Sequence, residues 1–216
     1  GTFLGANPDD LALVTNASSA VSAVLRSLAL KPGDELLLTD VTYGACRNAA
    51  DYVAGRSGAQ VVIAELPFPC SGPEALITAI MAKVTPRTRL ALLDHITSAS
   101  AVVLPVKELV EALDARGVDT LVDAAHAPGQ VALDLDALGA AYSTGNCHKW
   151  LCTPKGAAYL HVRADRQGTV RPLTISHGAT QDTQGCSRFR REFDWLGTHD
   201  PSAHLALPQA IAYMAG

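Results

Sequence analysis

Leu90-Ala91-Leu92-Leu93, then Asp94-His95-Ile96-Thr97-Ser98, then a stripe of Val106, Leu109, Val110 and Leu113, then Thr120-Leu121-Val122-Asp123: this stretch decides the fold. Its two apolar runs are nearly continuous rather than alternating, as strands read when both faces of a sheet are covered. Between them, spacing at i, i+3, i+4, i+7 gives a helix one apolar face. Strand, helix, strand is the unit of a parallel sheet with right-handed crossovers. Working outward, apolar runs at Leu11 to Val14, Leu36 to Leu38 and Val61 to Ala64 repeat the theme. Helical stripes separate them: Val21, Val24, Leu25 and Leu28; Cys46, Ala49, Ala50 and Val53; Leu76, Ile77, Ile80, Met81 and Val84. Ser71, three residues before Glu74, reads as a capping box for the last stripe, with Pro73 near its first helical position. The expected fold is α/β, three layers around a mainly parallel sheet.

Past Asp123 the pattern loosens. A short helix is expected near Leu135 to Leu138, strands at Ala141 to Asn146 and Ala157 to Val162, and a last helical stripe from Leu205 to Met214. The chain's 216 residues are 48% hydrophobic, enough for one sizeable core. Seventeen Lys and Arg against 21 Asp and Glu leave a net charge of -4, so there is no basic footprint for nucleic acid or an anionic membrane. No stretch approaches the roughly 18 apolar residues of a membrane helix, and the amino terminus lacks a secretory pattern, so a cytoplasmic setting is expected. Five scattered cysteines, Cys46, Cys70, Cys147, Cys152 and Cys186, read as reduced thiols. The chain begins at Gly1, without an initiator Met, which reads as a fragment.

Ligands of such sheets sit beyond the carboxyl ends of the strands, so the polar residues there carry the functional reading. After the first run comes Thr15-Asn16-Ala17-Ser18-Ser19, opening a helix whose free N–H groups and dipole suit a phosphate; the plain alternative is that Asn16 or Ser18 caps the helix. Asp123 ends an apolar run, and a buried carboxylate needs a cation or donors, which an ordinary structural partner also supplies. His95 and His126, taken singly, suit semi-buried hydrogen-bonded positions. In Asn146-Cys147-His148-Lys149-Trp150, a lysine enclosed by apolar and cationic neighbours loses its proton more readily and can act as a Schiff-base nucleophile; a lysine exposed on a turn is the plain alternative. Cys147, His148 and Cys152 do not point three ligands at one centre, so no metal is expected. Jointly, a phosphate cradle, an acid for a ring nitrogen and a Schiff-base lysine are the parts pyridoxal 5'-phosphate needs.

At these residues the chain resembles the fold-type I, class V aminotransferase superfamily, most closely its isopenicillin N epimerase-like branch. The likeness runs through Val14-Thr15-Asn16-Ala17-Ser18, Asp40 to Cys46, Asp94-His95-Ile96-Thr97-Ser98 with Pro105, Val122 to Gly129, Thr144 to Cys152, and Asp194-Trp195-Leu196-Gly197-Thr198. It implies a large domain of a pyridoxal-phosphate enzyme, truncated at both ends: residues 1–165 bind the cofactor, 166–216 continue that domain with a dimer-contact loop and the start of a helix, and the carboxyl-terminal small domain is absent. It implies that Lys149 carries the cofactor, Asp123 pairs with its ring nitrogen, and His126 and Ser98 sit near its ring hydroxyl. By the same resemblance Ala17, Ser18, Asn146 and His148 hold the phosphate, Tyr43 lies over the ring, and Thr198 reaches the phosphate of the neighbouring subunit of a homodimer. Related desulfurases carry His where Val41 stands and Asn where Ser98 stands.

The function expected from residues and resemblance together is pyridoxal-phosphate chemistry at the α-carbon of a small, amino-acid-like substrate, with Lys149, Asp123 and His126 as catalytic residues. A cysteine desulfurase or C–S lyase of the same superfamily is the first alternative. A non-catalytic α/β domain, in which Lys149 and Asp123 form a structural ion pair, is the second. A nucleotide-binding domain ranks last, because no Gly-x-Gly-x-x-Gly or Walker lysine is present.

Overall fold

A computed structural model of the chain describes residues 1–181 and 185–215. The elements alternate as the apolar runs and stripes require: β1 (Leu11–Val14), α1 (Ala17–Ser27), β2 (Glu35–Thr39), α2 (Gly44–Ser57), β3 (Gln60–Ala64), α3 (Pro73–Met81), β4 (Thr88–Asp94), α4 (Val106–Asp114) and β5 (Asp119–Asp123). Then follow α5 (Leu135–Leu138), β6 (Tyr142–Asn146), β7 (Ala158–Val162), α6 (Arg188–Asp194), α7 (Ser202–Leu205) and α8 (Leu207–Met214). The seven described strands form one sheet in the order β1-β7-β6-β5-β4-β2-β3. Only β7 runs against its neighbours, antiparallel to both β1 and β6. No described helix is long and apolar enough to cross a membrane.

Continuous runs arise because successive residues enter different cores. Leu90 and Leu92 of β4, with Leu36 and Leu38 of β2, pack with Val24 of α1 and Ala50 of α2. Ala91 and Leu93, with Leu37, pack on the other face with Ile80 of α3 and Leu109 and Leu113 of α4. Leu36, Leu37, Leu38, Leu90 and Leu93 have no accessible surface, and each such burial contributes about 1.5–3 kcal/mol. Truncating Leu37 or Leu93 to Ala would cost about 2–5 kcal/mol. Edge strands depart from the pattern. Leu13 of β1 is 46% exposed, because β1 closes one side of the sheet and its outer face is only partly covered.

Several local expectations need correction. Ser71 is not the cap of α3: Pro73 takes the first helical position, so the cap falls on Gly72, which has no side chain to offer. Val84 lies beyond α3, and Leu28 is the extended residue that ends α1. The last stripe is two helices rather than one, because Pro208 at the start of α8 cannot continue the ladder from α7. At the start of α7 the Asp200 side chain does the capping, its Oδ1 accepting from Ser202 N–H at 2.9 Å.

Candidate active site

The carboxyl ends of β4, β5 and β6 lie in one row: Asp94 is opposite Asp123, and Asp123 is opposite Thr144. Two glycines let the following loops close over that row. At Gly145 a Cβ would sit 2.8 Å from Ala124 O and 2.7 Å from the Tyr159 ring. At Gly129, where φ is +87°, a Cβ would lie 2.6 Å from Trp150 O, so the loop after β5 can press its backbone against the turn that carries Lys149.

Lys149 Nζ reaches 3.0 Å from His126 Nε2, and 5.9 Å from the centroid of the Tyr43 ring. Thus Lys149, His126 and Tyr43 meet, from the turn after β6, the loop after β5 and the start of α2. Asp123 is buried beneath them. Its Oδ1 accepts from Ala125 N–H at 3.0 Å and its Oδ2 from the Cys46 thiol at 3.1 Å. Burial pushes the Asp123 carboxyl upward, opposed by the Cys46 and Ala125 donors and by the Lys149 charge. Burial likewise draws the Lys149 ammonium below the usual lysine range, against the pull of Asp123, Cys46 and Asp94. His126 is drawn down by burial and by the neighbouring Lys149 charge.

A second acid completes the electrostatics. Asp94 is 4% exposed, and its Oδ2 has no hydrogen-bond partner among the described residues. Burial first, then the neighbouring Asp123 charge, push its pKa up to about 7, while the Tyr43 backbone N–H at the start of α2 holds it down in part. Sequence reading passed over Asp94, which stood in a quoted segment without a role, and Cys46, taken only as a packing residue. The legible signal was Asp94 at the end of an apolar run, as for Asp123. Nothing in the sequence placed the Cys46 thiol on Asp123. Burial and Asp123 raise that thiol strongly, and burial pushes Cys147 up to about 12, so neither thiol is a ready nucleophile.

The start of α1 lies beside the end of β6, because Asn146 and Val14 both face Ala158 at the start of β7. Its N–H groups are more engaged than the sequence suggested. Ala17 N–H donates to Asn146 Oδ1 at 2.9 Å, and Ser19 N–H donates to Asn16 Oδ1 at 2.8 Å, so Asn16 is the cap. Ser18 N–H remains without a partner among the described residues. His148 Nδ1 accepts from Ala157 N–H at 3.1 Å, which fixes the ring at this edge. Ser98 is exposed on the turn after β4, where Thr97 and Ser100 make the stabilising bonds instead. Thr198 lines a separate cavity of about 540 Å³ with Val14, Thr15, Ser19 and Phe193; Lys149, Asp123 and His126 do not line it. Within one chain, then, Thr198 approaches the entrance of α1 but not the lysine.

The family model described as aminotransferase class-V matches residues 1–216. Isopenicillin N epimerase of Amycolatopsis lactamdurans is 38% identical over 226 residues, covering 99% of this chain and 57% of that protein. A putative L-cysteine desulfhydrase of Oryza sativa subsp. japonica is 36% identical, covering 95% of this chain and 45% of that protein. Among solved structures, the cystine C–S lyase C-DES in complex with cysteine persulfide superposes with a TM-score of 0.88 at 24% identity, over 99% of this chain and 58% of that one. A C-DES variant with glycine covalently linked to the PLP cofactor gives 0.82 at 24% identity, over 99% and 57%. The chain therefore spans about half the length of the relatives it matches.

Proposed function

Starting from a chain that belongs to the aminotransferase class-V family, we propose that it is the cofactor-binding part of a pyridoxal-phosphate enzyme acting at the α-carbon of an amino-acid-like substrate. One observation carries this reading: a lysine amine drawn toward its uncharged form stands 3.0 Å from a histidine and above two buried, arginine-free carboxylates. The residues fit the cofactor. Asp123 is an acid whose burial is unmatched by any arginine, as a site for a protonated ring nitrogen requires, and the start of α1 retains Ser18 N–H for a phosphate.

Bound there, pyridoxal phosphate supplies an electron sink for the bonds at a substrate α-carbon. Lys149 would be the residue that attaches it, and its free amine would be the base that takes a proton at Nζ. Asp123, oriented by Cys46 and Ala125, would supply the negative charge that a protonated ring nitrogen needs. With the cofactor bound, His126 would act from beside Lys149, Ser98 would serve the ring hydroxyl, and Tyr43 would lie over the ring. Ala17, Ser18, Asn146 and His148 form the phosphate side; Asn146 acts there by holding the first turn of α1 in place. Residues 1–165 hold these groups, and 166–216 extend the same domain: Phe189 and Phe193 of α6 pack into the core with Val14 and Leu160.

Within this chemistry we favour an epimerase-type outcome, matching the epimerase relatives at 36–38% identity. A C–S lyase outcome is the second reading, favoured by the desulfhydrase relative at 36%. Incubating the full-length protein with isopenicillin N and with L-cysteine separates them. Appearance of a second diastereomer, inverted at the side-chain α-carbon, in the first supports epimerisation, and sulfide release from the second supports the lyase. Failure of the full-length protein to develop a cofactor absorption band, or borohydride reduction that leaves Lys149 unlabelled on peptide mapping, would remove both.

The working unit in this proposal is a homodimer in a reducing, cytosol-like compartment, with Thr198 of each subunit serving the other's site. Mixing full-length Lys149→Ala with Thr198→Val chains tests it. Recovered activity supports action between subunits, because one site of each mixed dimer is then intact; no recovery, with Thr198→Val itself impaired, refutes it.

A further inference from the structure

Trp150 follows the lysine directly and is 50% exposed, yet its indole is engaged. Trp150 Nε1–H donates to His126 Nδ1 at 3.1 Å, and the other ring nitrogen, Nε2, faces Lys149 Nζ at 3.0 Å. An indole nitrogen is a donor only, so Nδ1 must carry a lone pair. An uncharged imidazole with a bare Nδ1 keeps its one proton on Nε2. That proton belongs to the nitrogen that makes the 3.0 Å contact with Nζ, so Nε2 donates and Nζ accepts. An ammonium has no lone pair with which to accept, and only the uncharged amine completes the contact.

We propose that Trp150 is a positioning residue: it locks His126 in the Nε2–H tautomer, and His126 thereby holds the Lys149 amine uncharged, its lone pair engaged and ready to attack a carbonyl. This deepens the cofactor reading and rests on it for the use of the amine, but the proton positions stand on the hydrogen bonds alone. Other groups face the amine and set the balance. Asp123 of β5, Asp94 of β4 and Cys46 of α2 favour the ammonium when charged, as does the face of the Tyr43 ring; burial opposes them, and the His126 donor adds to burial. The backbone approach at Gly129 keeps the loop bearing His126 against the turn bearing Trp150, so the three side chains share one rigid corner. Such control of a histidine by the partner of its second nitrogen is the same device that orients metal-bound and triad histidines.

Long-range proton–nitrogen correlation spectra of His126 in the cofactor-free full-length protein read the tautomer directly. The expected result is a protonated Nε2 and a bare Nδ1. Trp150→Phe keeps a ring at a half-exposed position and removes only the donor. In that variant His126 should populate both tautomers, the pH midpoint for trapping Lys149 with a small aldehyde and borohydride should rise, and trapping at pH 7 should slow about fivefold, the loss of one neutral hydrogen bond. A protonated Nδ1 in the wild-type protein overturns the proposal, whether or not the variant folds. So does a Trp150→Phe protein with unchanged tautomer and midpoint. If Lys149 failed to carry pyridoxal phosphate, the tautomer spectra would still be decisive, so the two failures are distinct.

Discussion

Both ends of the sheet shield acids from solvent, beneath exposed arginines at one end and deep in the fold at the other, and treat them oppositely. At the amino end, Glu35 of β2 is 2% exposed and receives Arg87 Nε and Nη2 at 2.8 and 2.6 Å, with Thr85 and Thr88 hydroxyls on its other oxygen. Asp34 beside it is held by Arg89 at 2.7 Å. The Thr85 hydroxyl and Arg87 hold the Glu35 carboxyl below its ordinary range, and Arg89 does the same for Asp34. At the carboxyl end Asp94 and Asp123 are each 4% exposed, and among the described residues no arginine pairs with either. Both are pushed up instead. Shallow acids matched by arginine at one end, and deep acids without one at the other, separate an end whose charges are settled internally from one whose charges await a ligand.

The largest expected effect tests whether the carboxyl end is chemical at all. Lys149→Ala should abolish covalent retention of pyridoxal phosphate and reduce turnover by several orders of magnitude. Borohydride reduction and peptide mapping check it, and label on Lys83, Lys107 or Lys155 would place the chemistry elsewhere. Next, Asp123→Asn preserves shape and removes the anion. α-Proton exchange with solvent should slow by several orders of magnitude while cofactor is still bound. Near-normal exchange would break the link between unmatched burial and function.

Asp94→Asn sharpens the comparison through stability. The folded pKa of Asp94 lies above its ordinary 3.8, at about 7, so the folded state favours the protonated acid and wild-type stability falls as pH rises from about 4 through 7. Asn keeps an acceptor for Tyr43 N–H and cannot ionise. The variant should therefore be more stable than wild type at pH 8 by about 1–3 kcal/mol, and the gap should close at pH 4. Denaturant titrations of cofactor-free protein at both pH values measure it. The smallest effect is at the amino end. Glu35→Gln should cost about 1–2 kcal/mol at pH 7 and leave cofactor attachment unchanged. Its sign is the reverse: a lowered folded pKa means the contribution of Glu35 is present above its ordinary 4.5 and fades as pH falls through the folded value.

The β-α alternation and the row of polar strand ends could be read before any coordinates, because a doubly covered parallel sheet leaves a local mark: continuous apolar runs ending in charge. Asp123 ends such a run and Lys149 follows another, while the role of His126 came from the family resemblance; Lys149 and His126 meet at 3.0 Å above the buried Asp123. Capping failed at Ser71 because one residue of offset, set by Pro73, moves the cap to Gly72. The occupancy of the α1 N–H groups failed for a different reason: Asn146 reaches Ala17 across β7, and its distance in sequence hides the contact.

What the sequence determined by itself was thus the sheet, the helices between its strands and the end at which chemistry collects. These follow from periodicity and from the cost of burying a carboxylate, both local properties of the chain. Only the tertiary structure decided that Cys46 donates to Asp123, that Asp94 stands beside Asp123 without an arginine, and that Trp150 dictates the proton of His126. Each is a contact between residues far apart in sequence or on different loops. Its sign depends on distances of about 3 Å and on which nitrogen faces which partner, and no spacing rule along the chain encodes either.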